Sequence, residues 1–236
     1  MNSTRAPTSM PAQVLVLLDD AAAGSALLEL SSALARAMQR DLSLVYVESA
    51  RALVAAALPF TQVLSHAGSQ WVPLQPQDVE QGFRAQAARL RELAARIALR
   101  DALNWSLRVM RGSLAGAAAD LIAQSDLLLL AAAASVQPPR IGAARPARRR
   151  PLVSVVTVAD GDEDELMSQR ALRVGTQLAQ ALAGELQTTR IDAATLRSRP
   201  ATVLATLARS DVLVLPRAPL DAAALATLRC PVLLVG

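Results

Sequence analysis

The 236-residue sequence predicts an α/β fold of doubly wound parallel sheets, written as two tandem repeats with the second shortened. Two observations carry that prediction. Short, continuous apolar runs alternate with alanine- and leucine-rich stretches of helical spacing, the pattern of parallel strands buried on both faces. The chain also resembles itself: "QSDLLLLAA" (124–132) and "RSDVLVLPR" (209–217) are near copies, each preceded by an alanine-rich helical stretch. Self-similarity of this kind marks repeated units.

The first repeat reads in order. Val14–Leu18 is a buried strand closed by Asp19 and Asp20. Leu27, Leu30, Leu34 and Met38 then recur at helical spacing, and Leu42–Val47 is the second strand. Residues 51–77 are irregular, broken by Pro59, Gly68, Pro73 and Pro76. Val79, Phe83, Leu90, Leu93 and Ile97 line one face of a long helix whose other face is basic. On that helix Glu80–Arg84 and Glu92–Arg96 are spaced as i,i+4 ion pairs. Trp105–Met110 is the third strand, Gly112-Ser113 caps a helix reaching Ala123, and Leu127–Leu130 is the fourth strand.

A proline- and arginine-rich stretch follows, with Pro138, Pro139, Pro146, Pro151, Arg140, Arg145 and Arg148–Arg150. It divides the chain into a first repeat (1–137), a linker (138–150) and a second repeat (151–236). The second repeat opens on "LVSVVTVADGD" (152–162). Its helix is built on Met167, Ala171, Val174, Leu178 and Leu182, with a strand at 184–192. It has no counterpart of the long basic helix and the strand after it. It closes on Val212–Leu215 and Val232–Val235. Either the first repeat lacks a closing strand, or "RPLVSVV" (150–156) serves it and runs on into the second repeat. The apolar edge at Val232–Val235 needs a cover, from another copy or from the first repeat.

Composition excludes several classes of function. All 24 basic residues are arginine, so no lysine is present for a Schiff base or a phosphate loop. One histidine, His66, and one cysteine, Cys230, leave no multi-cysteine metal site and no sequence-adjacent catalytic pair. His66 reads as a loop residue and Cys230 as a small core hydrophobe. Trp71 and Trp105 read as packing residues, and "GSLAG" (112–116) as a tight turn into a helix. A formal net charge of +4 does not by itself point to nucleic acid, and the arginine run lacks interleaved aromatics to stack bases. No apolar run is long enough to span a bilayer and no secretory leader is recognisable, so the expected location is the cytoplasm.

The order of these motifs resembles the universal stress protein (UspA-like) superfamily in tandem form. "VLVLLDD" resembles its opening strand ending in an acid, and "WSLRVMRGSLAGAAADLIAQSDLLLL" its strand–glycine–helix–strand segment. "RSDVLVL" repeats the last element, and "LRCPVLLVG" resembles its closing strand. The resemblance implies a Rossmann-like, adenine-nucleotide alpha-hydrolase-like fold with five parallel strands per full repeat. It also implies dimer-like packing of repeats and, in some members, ATP. In those members the acid after the first strand, here Asp19, contacts adenine or ribose, and the backbone near Val47 meets adenine. Asp20 is the alternative if the alignment slips by one, and Asp160 is the second-repeat counterpart. The glycine-rich phosphate loop has no match: "AAAASVQPPRIGAARPARRR" follows Leu130 and "PRAPLDAAALATLRC" follows Leu215. Prolines remove N–H donors from such a cradle. The expectation is a non-enzymatic stress-type protein acting through protein contacts, without cofactor, as a homodimer or with its repeats paired. The alternative is an adenine-nucleotide-binding member with a modified loop.

Overall fold

The computed structural model describes residues 13–20, 24–64, 70–122, 125–131, 150–158, 162–198, 202, 207, 210–217 and 230–236. The linker through residue 149, His66 and Asp160 lie outside them. The elements run β1 (Gln13–Leu18), α1 (Gly24–Met38), β2 (Asp41–Ser49), α2 (Ala50–Ala56), β3 (Gln62–Leu64), β4 (Trp71–Pro73), α3 (Pro76–Asp101) and β5 (Trp105–Gly112). They continue α4 (Leu114–Ile122), β6 (Leu127–Leu130), β7 (Leu152–Val158), α5 (Asp162–Ala181), β8 (Glu185–Ile191), α6 (Ala193–Ser198), β9 (Val212–Pro216) and β10 (Val232–Val235).

Eight strands form one sheet in the order β5-β2-β1-β6-β10-β9-β7-β8. Every neighbouring pair is parallel except β10 with β6, which is antiparallel. The connectivity of β1, β2 and β6 recurs in β7, β8 and β9: a parallel pair, then a later strand on the other side of the first. The question of the first repeat's closing strand is thereby answered. β7 pairs with β8 and β9, and the place beside β6 belongs to β10. Each set contributes four strands where the resemblance implies five. The apolar closing strand is interior, hydrogen-bonded on both sides.

Strand burial follows the sequence runs. β6, β9 and β10 are buried at every residue and β1 at all but its first, as a doubly covered sheet requires. Edge strands β5 and β8 alternate or are exposed, and both carry charges, among them Arg108, Arg111, Glu185 and Arg190. Charged edges discourage pairing with foreign strands. On one sheet face Val14, Val16, Leu18, Leu44, Tyr46, Val153, Val155 and Val214 pack against Leu28 and Leu34 of α1, Leu90 of α3 and Leu178 of α5. On the other, Leu15, Leu17, Val45, Val47, Leu128, Leu130 and Leu234 pack with Ala117, Ala118 and Leu121 of α4. Each fully buried Leu or Val contributes roughly 1.5–3 kcal/mol. Cys230 belongs to this second cluster, a small core residue as expected. Among the described residues no helix is long and apolar enough to cross a membrane.

The two near-copied Ser-Asp motifs sit at the start of β6 and just before β9, and their contacts have diverged. Asp211 accepts a hydrogen bond from the Leu152 N–H at 2.7 Å, and Ser210 is hydrogen-bonded to buried Ser154 at 2.7 Å. Asp126 instead pairs with Arg40 at 3.4 Å, and Ser125 donates back to the Leu121 carbonyl at 2.9 Å.

Helices α1 and α3 are clamped at one end by charge. Asp101, with a side chain only 7% exposed, accepts from Ser32 and from Arg100 at 2.8 Å, and pairs with Arg36 at 3.4 Å. Arg100 also grips Glu29 through two bonds of 2.6 and 2.9 Å. On α3 the Glu80–Arg84 pair closes at 3.3 Å. At the other helix–sheet contact, Gly175 of α5 sits directly on the Val155 side chain of β7, where a Cβ has no room.

Two outcomes follow from this packing. Gly175→Ala gains up to about 1 kcal/mol of helix propensity but overpacks a rigid contact at about 1–3 kcal/mol. Calorimetry should therefore show a Tm lower by a few degrees, and the loss should vanish in a Val155→Ala background. The Arg100 and Ser32 hydrogen bonds lower the Asp101 pKa from 3.8 to about 2. A depressed carboxylate stabilises the fold above its unfolded pKa and ceases to do so as pH falls through the folded one. Wild type and Asp101→Asn should accordingly differ in stability at neutral pH and converge between about pH 4 and pH 2.

Candidate functional site

The sheet directs its candidate residues to two opposite ends. At the carboxyl end of β1, β2, β5 and β6, the register pairs Leu18 with Tyr46, which puts Asp19 level with Val47 on the adjacent strand. From Val47 to Ser49, β2 runs beyond β1 and pairs only with β5. The two residues that the sequence singles out are thus brought to one place. The Val47 side chain is buried in the core, so only its backbone faces that end.

The electrostatics of this crevice are acidic. Asp19 is exposed as a residue, yet enough protein crowds its carboxyl to raise its pKa, chiefly by desolvation, with Asp20 adding repulsion and a backbone hydrogen bond opposing both. Tyr46, fully buried, donates to Gln86 Oε1 at 2.8 Å. Its hydroxyl is pushed up to about 12, first by burial and then by Glu48, Asp20 and Asp19. Three carboxylates therefore bear on one phenol. The adjacent cation, Arg111, is engaged by Glu48 at 3.2 Å. Ser113 accepts from the Gly116 N–H at 3.1 Å, so the "GSLAG" turn uses its hydroxyl to cap α4. Among the described residues named here, carboxylates outnumber arginines. Among the described residues no group of three His, Cys, Asp or Glu side chains is placed to hold a metal. Burial, then Asp211, pushes the Cys230 thiol up to about 11, which keeps it protonated and unreactive.

Beyond the end of β2 the chain departs from the irregular loop expected over 51–77. Ser49 accepts from the Ala52 N–H at 3.3 Å and so starts α2. Thr61 then ties the following turn down by donating to the Ala55 carbonyl at 2.6 Å. Next come β3 and β4, an antiparallel pair matching Val63 with Val72 and Leu64 with Trp71. Both faces of this hairpin are apolar and both are exposed. Trp71 is 66% exposed and Phe60 91%, with Val54 and Leu58 open beside them in sequence. The expectation that Trp71 is a packing residue is therefore wrong. Among the described residues its strand pairs only with β3, whereas Trp105 is half-buried against the core. An aromatic side chain is buried only where another element covers it, and residue type alone does not say whether one does.

The opposite end, where β9 and β10 finish and β2 and β6 begin, gathers arginines. Arg40, Arg170 and Arg173 line a cavity of about 340 Å³ together with Asp126 and the backbone of Gly236. Sequence reasoning missed this group because its members lie up to 133 positions apart (173 − 40) and form no motif. The faint signal was Arg170 and Arg173 at i,i+3 on an otherwise amphipathic helix.

Tyr46 is the single tyrosine of the chain, so its titration is directly visible in the ultraviolet. A folded pKa raised from 10.0 to about 12 means that the neutral phenol stabilises the fold below pH 10 and that this stability is lost as pH rises toward 12. The tyrosinate absorbance should appear near pH 12 in the folded protein, and Glu48→Gln should move it to lower pH.

No protein-family model matches the chain. No curated protein matches it either. Among solved structures, the chain is similar to a universal stress protein from Archaeoglobus fulgidus DSM 4304, with 10% identity, TM-score 0.43 and coverage of 94% of this chain and 95% of that one. It is also similar to the cytoplasmic domain of a prokaryotic cation chloride cotransporter, with 11% identity, TM-score 0.38 and 95% coverage of each. At these values neither likeness assigns a family, and the α/β assignment rests on the strand order of the protein itself.

Proposed function

We propose that this chain is a non-enzymatic, universal-stress-type cytoplasmic protein that acts in stress response or regulation through protein contacts and without ATP. The observation that carries the protein-contact reading is the apolar surface of the α2–β3–β4 segment. A lone two-stranded hairpin is marginal in water, and exposing Phe60, Trp71 and both its faces gives it nothing to bury until a partner covers it. The stress-type reading rests on the order of sequence motifs. The exclusion of ATP rests on the acidic crevice, where Asp19, Asp20 and Glu48 oppose a phosphate chain and Arg111 is already committed to Glu48. A nucleotide-binding reading has one observation in its favour, the alignment of Asp19 with Val47 beyond the end of β1.

A photo-reactive side chain at position 60 tests the contact reading. A defined adduct, with a second copy or with another protein, should form and should be lost in Trp71→Asp, with Tm unchanged. The same adducts from a probe at the exposed, charged position 185 would overturn it. Titration calorimetry with ATP should show no binding that depends on Asp19. Saturable binding abolished by Asp19→Ala would establish the nucleotide-binding reading instead.

A further inference from the structure

The arginine-lined cavity at the far end of the sheet has no part in the proposed contact function, and its construction is specific. Arg40 is placed by a tight helix ending. Gln39 takes a left-handed φ of 51°, its N–H donates to the Arg36 carbonyl at 3.2 Å, and the Arg40 N–H returns to Ala35 at 2.9 Å. This double bond pattern rigidly ends a helix and sets the direction of the next residue. Arg170 and Arg173 come from one face of α5, an element of the other strand set. The floor is apolar, made by Met38, Leu127, Val174 and Val235. Arg217 braces the rim: its side chain donates to the Ser125 carbonyl at 2.6 Å and its N–H to the Val235 carbonyl at 2.7 Å.

Charge in the lining is unbalanced. Three guanidinium groups, those of Arg40, Arg170 and Arg173, face one carboxylate, Asp126. Asp126 is paired with Arg40 at 3.4 Å, and Arg170 donates to the Gly236 carbonyl oxygen at 3.2 Å. Arg173 has no hydrogen-bond or ion-pair partner among the described residues. Holding guanidinium groups together costs free energy through mutual repulsion, which an anion removes. Their planar forks match phosphate oxygens two at a time. The position also suits a ligand, since open α/β sheets bind at the carboxyl ends of strands, here β9 and β10.

We propose that this cavity, formed where the two strand sets meet, binds a small anion of the diphosphate class, held by Arg170 and Arg173 from one side and Arg40 from the other. Among the side chains of the lining three arginines stand against one aspartate, an excess that complements an anionic group, and about 340 Å³ admits a diphosphate with room for a small attached moiety. The ligand bridges α1 and α5, so its binding also ties the two sets together.

Inorganic pyrophosphate is the probe, titrated calorimetrically into the full chain in a phosphate-free buffer of low ionic strength. One saturable site is expected, weakened about tenfold by Arg173→Gln and relieved by added salt. Arg84→Gln, on the exposed face of α3, should bind as wild type does. Arg173 has no hydrogen bond or ion pair to lose among the described residues, so its substitution tests the site with the fold intact, which a melting curve verifies. Pyrophosphate should raise the Tm of wild type and of Arg84→Gln more than that of Arg173→Gln. Absence of saturable heat, or equal affinity in Arg173→Gln and Arg84→Gln, overturns the proposal and leaves the arginines as braces for Gly236 and Asp126. The contact reading stands or falls separately, since it rests on residues that follow the opposite end of β2.

Discussion

The junction between β6 and β10 is the constraint from which the rest of the architecture follows. Four residue pairs, Leu130–Val232 through Leu127–Val235, join two parallel four-stranded arrays in antiparallel fashion. The junction consumes what would otherwise be two open, wholly apolar edges. Water exclusion drives it, because both strands are buried at every position. It also reverses direction. The carboxyl ends of β1, β2, β5 and β6 emerge at one end of the sheet and those of β7, β8, β9 and β10 at the other.

That reversal separates charge. Carboxylates that terminate β1 and β2 collect at one end with Tyr46 beneath them, and Arg40, just past α1, collects with Arg170 and Arg173 of α5 at the other. At opposite ends of the sheet the two groups of exposed charge are separated by more than about a Debye length in physiological salt and interact little. The α1–α3 clamp at Asp101 and the Gly175–Val155 contact hold the covering helices in the positions this arrangement needs. The α2–β3–β4 segment stands outside this scheme. Its helix packs on α3 and β5, but the β3–β4 pair joins no strand of the main sheet, and Phe60 and Trp71 remain at the surface.

Much of the fold was legible because its determinants are local. Val14–Leu18, Leu127–Leu130, Val212–Leu215 and Val232–Val235 are short apolar runs that make sense only as doubly buried strands, and they are. Ser113 as a helix cap and Cys230 as a core residue were equally readable, since each depends on its nearest neighbours. Asp19 and Val47, taken from the family resemblance, lie level because β1 and β2 are adjacent parallel strands. Trp71 was misread, because its burial depends on whether a distant element covers it.

The amino-acid sequence by itself determined the alternation of strands and helices, the repeated Ser-Asp strand and the poverty of the turns after Leu130 and Leu215 as phosphate cradles. All are consequences of periodicity and backbone chemistry over a few residues. Only the tertiary structure decided that β10 takes the place beside β6, that the two arrays face opposite ways and that Arg40 meets Arg170 and Arg173. Those outcomes depend on which apolar edge is buried against which, a comparison of free energies between segments far apart in the chain that no local pattern records.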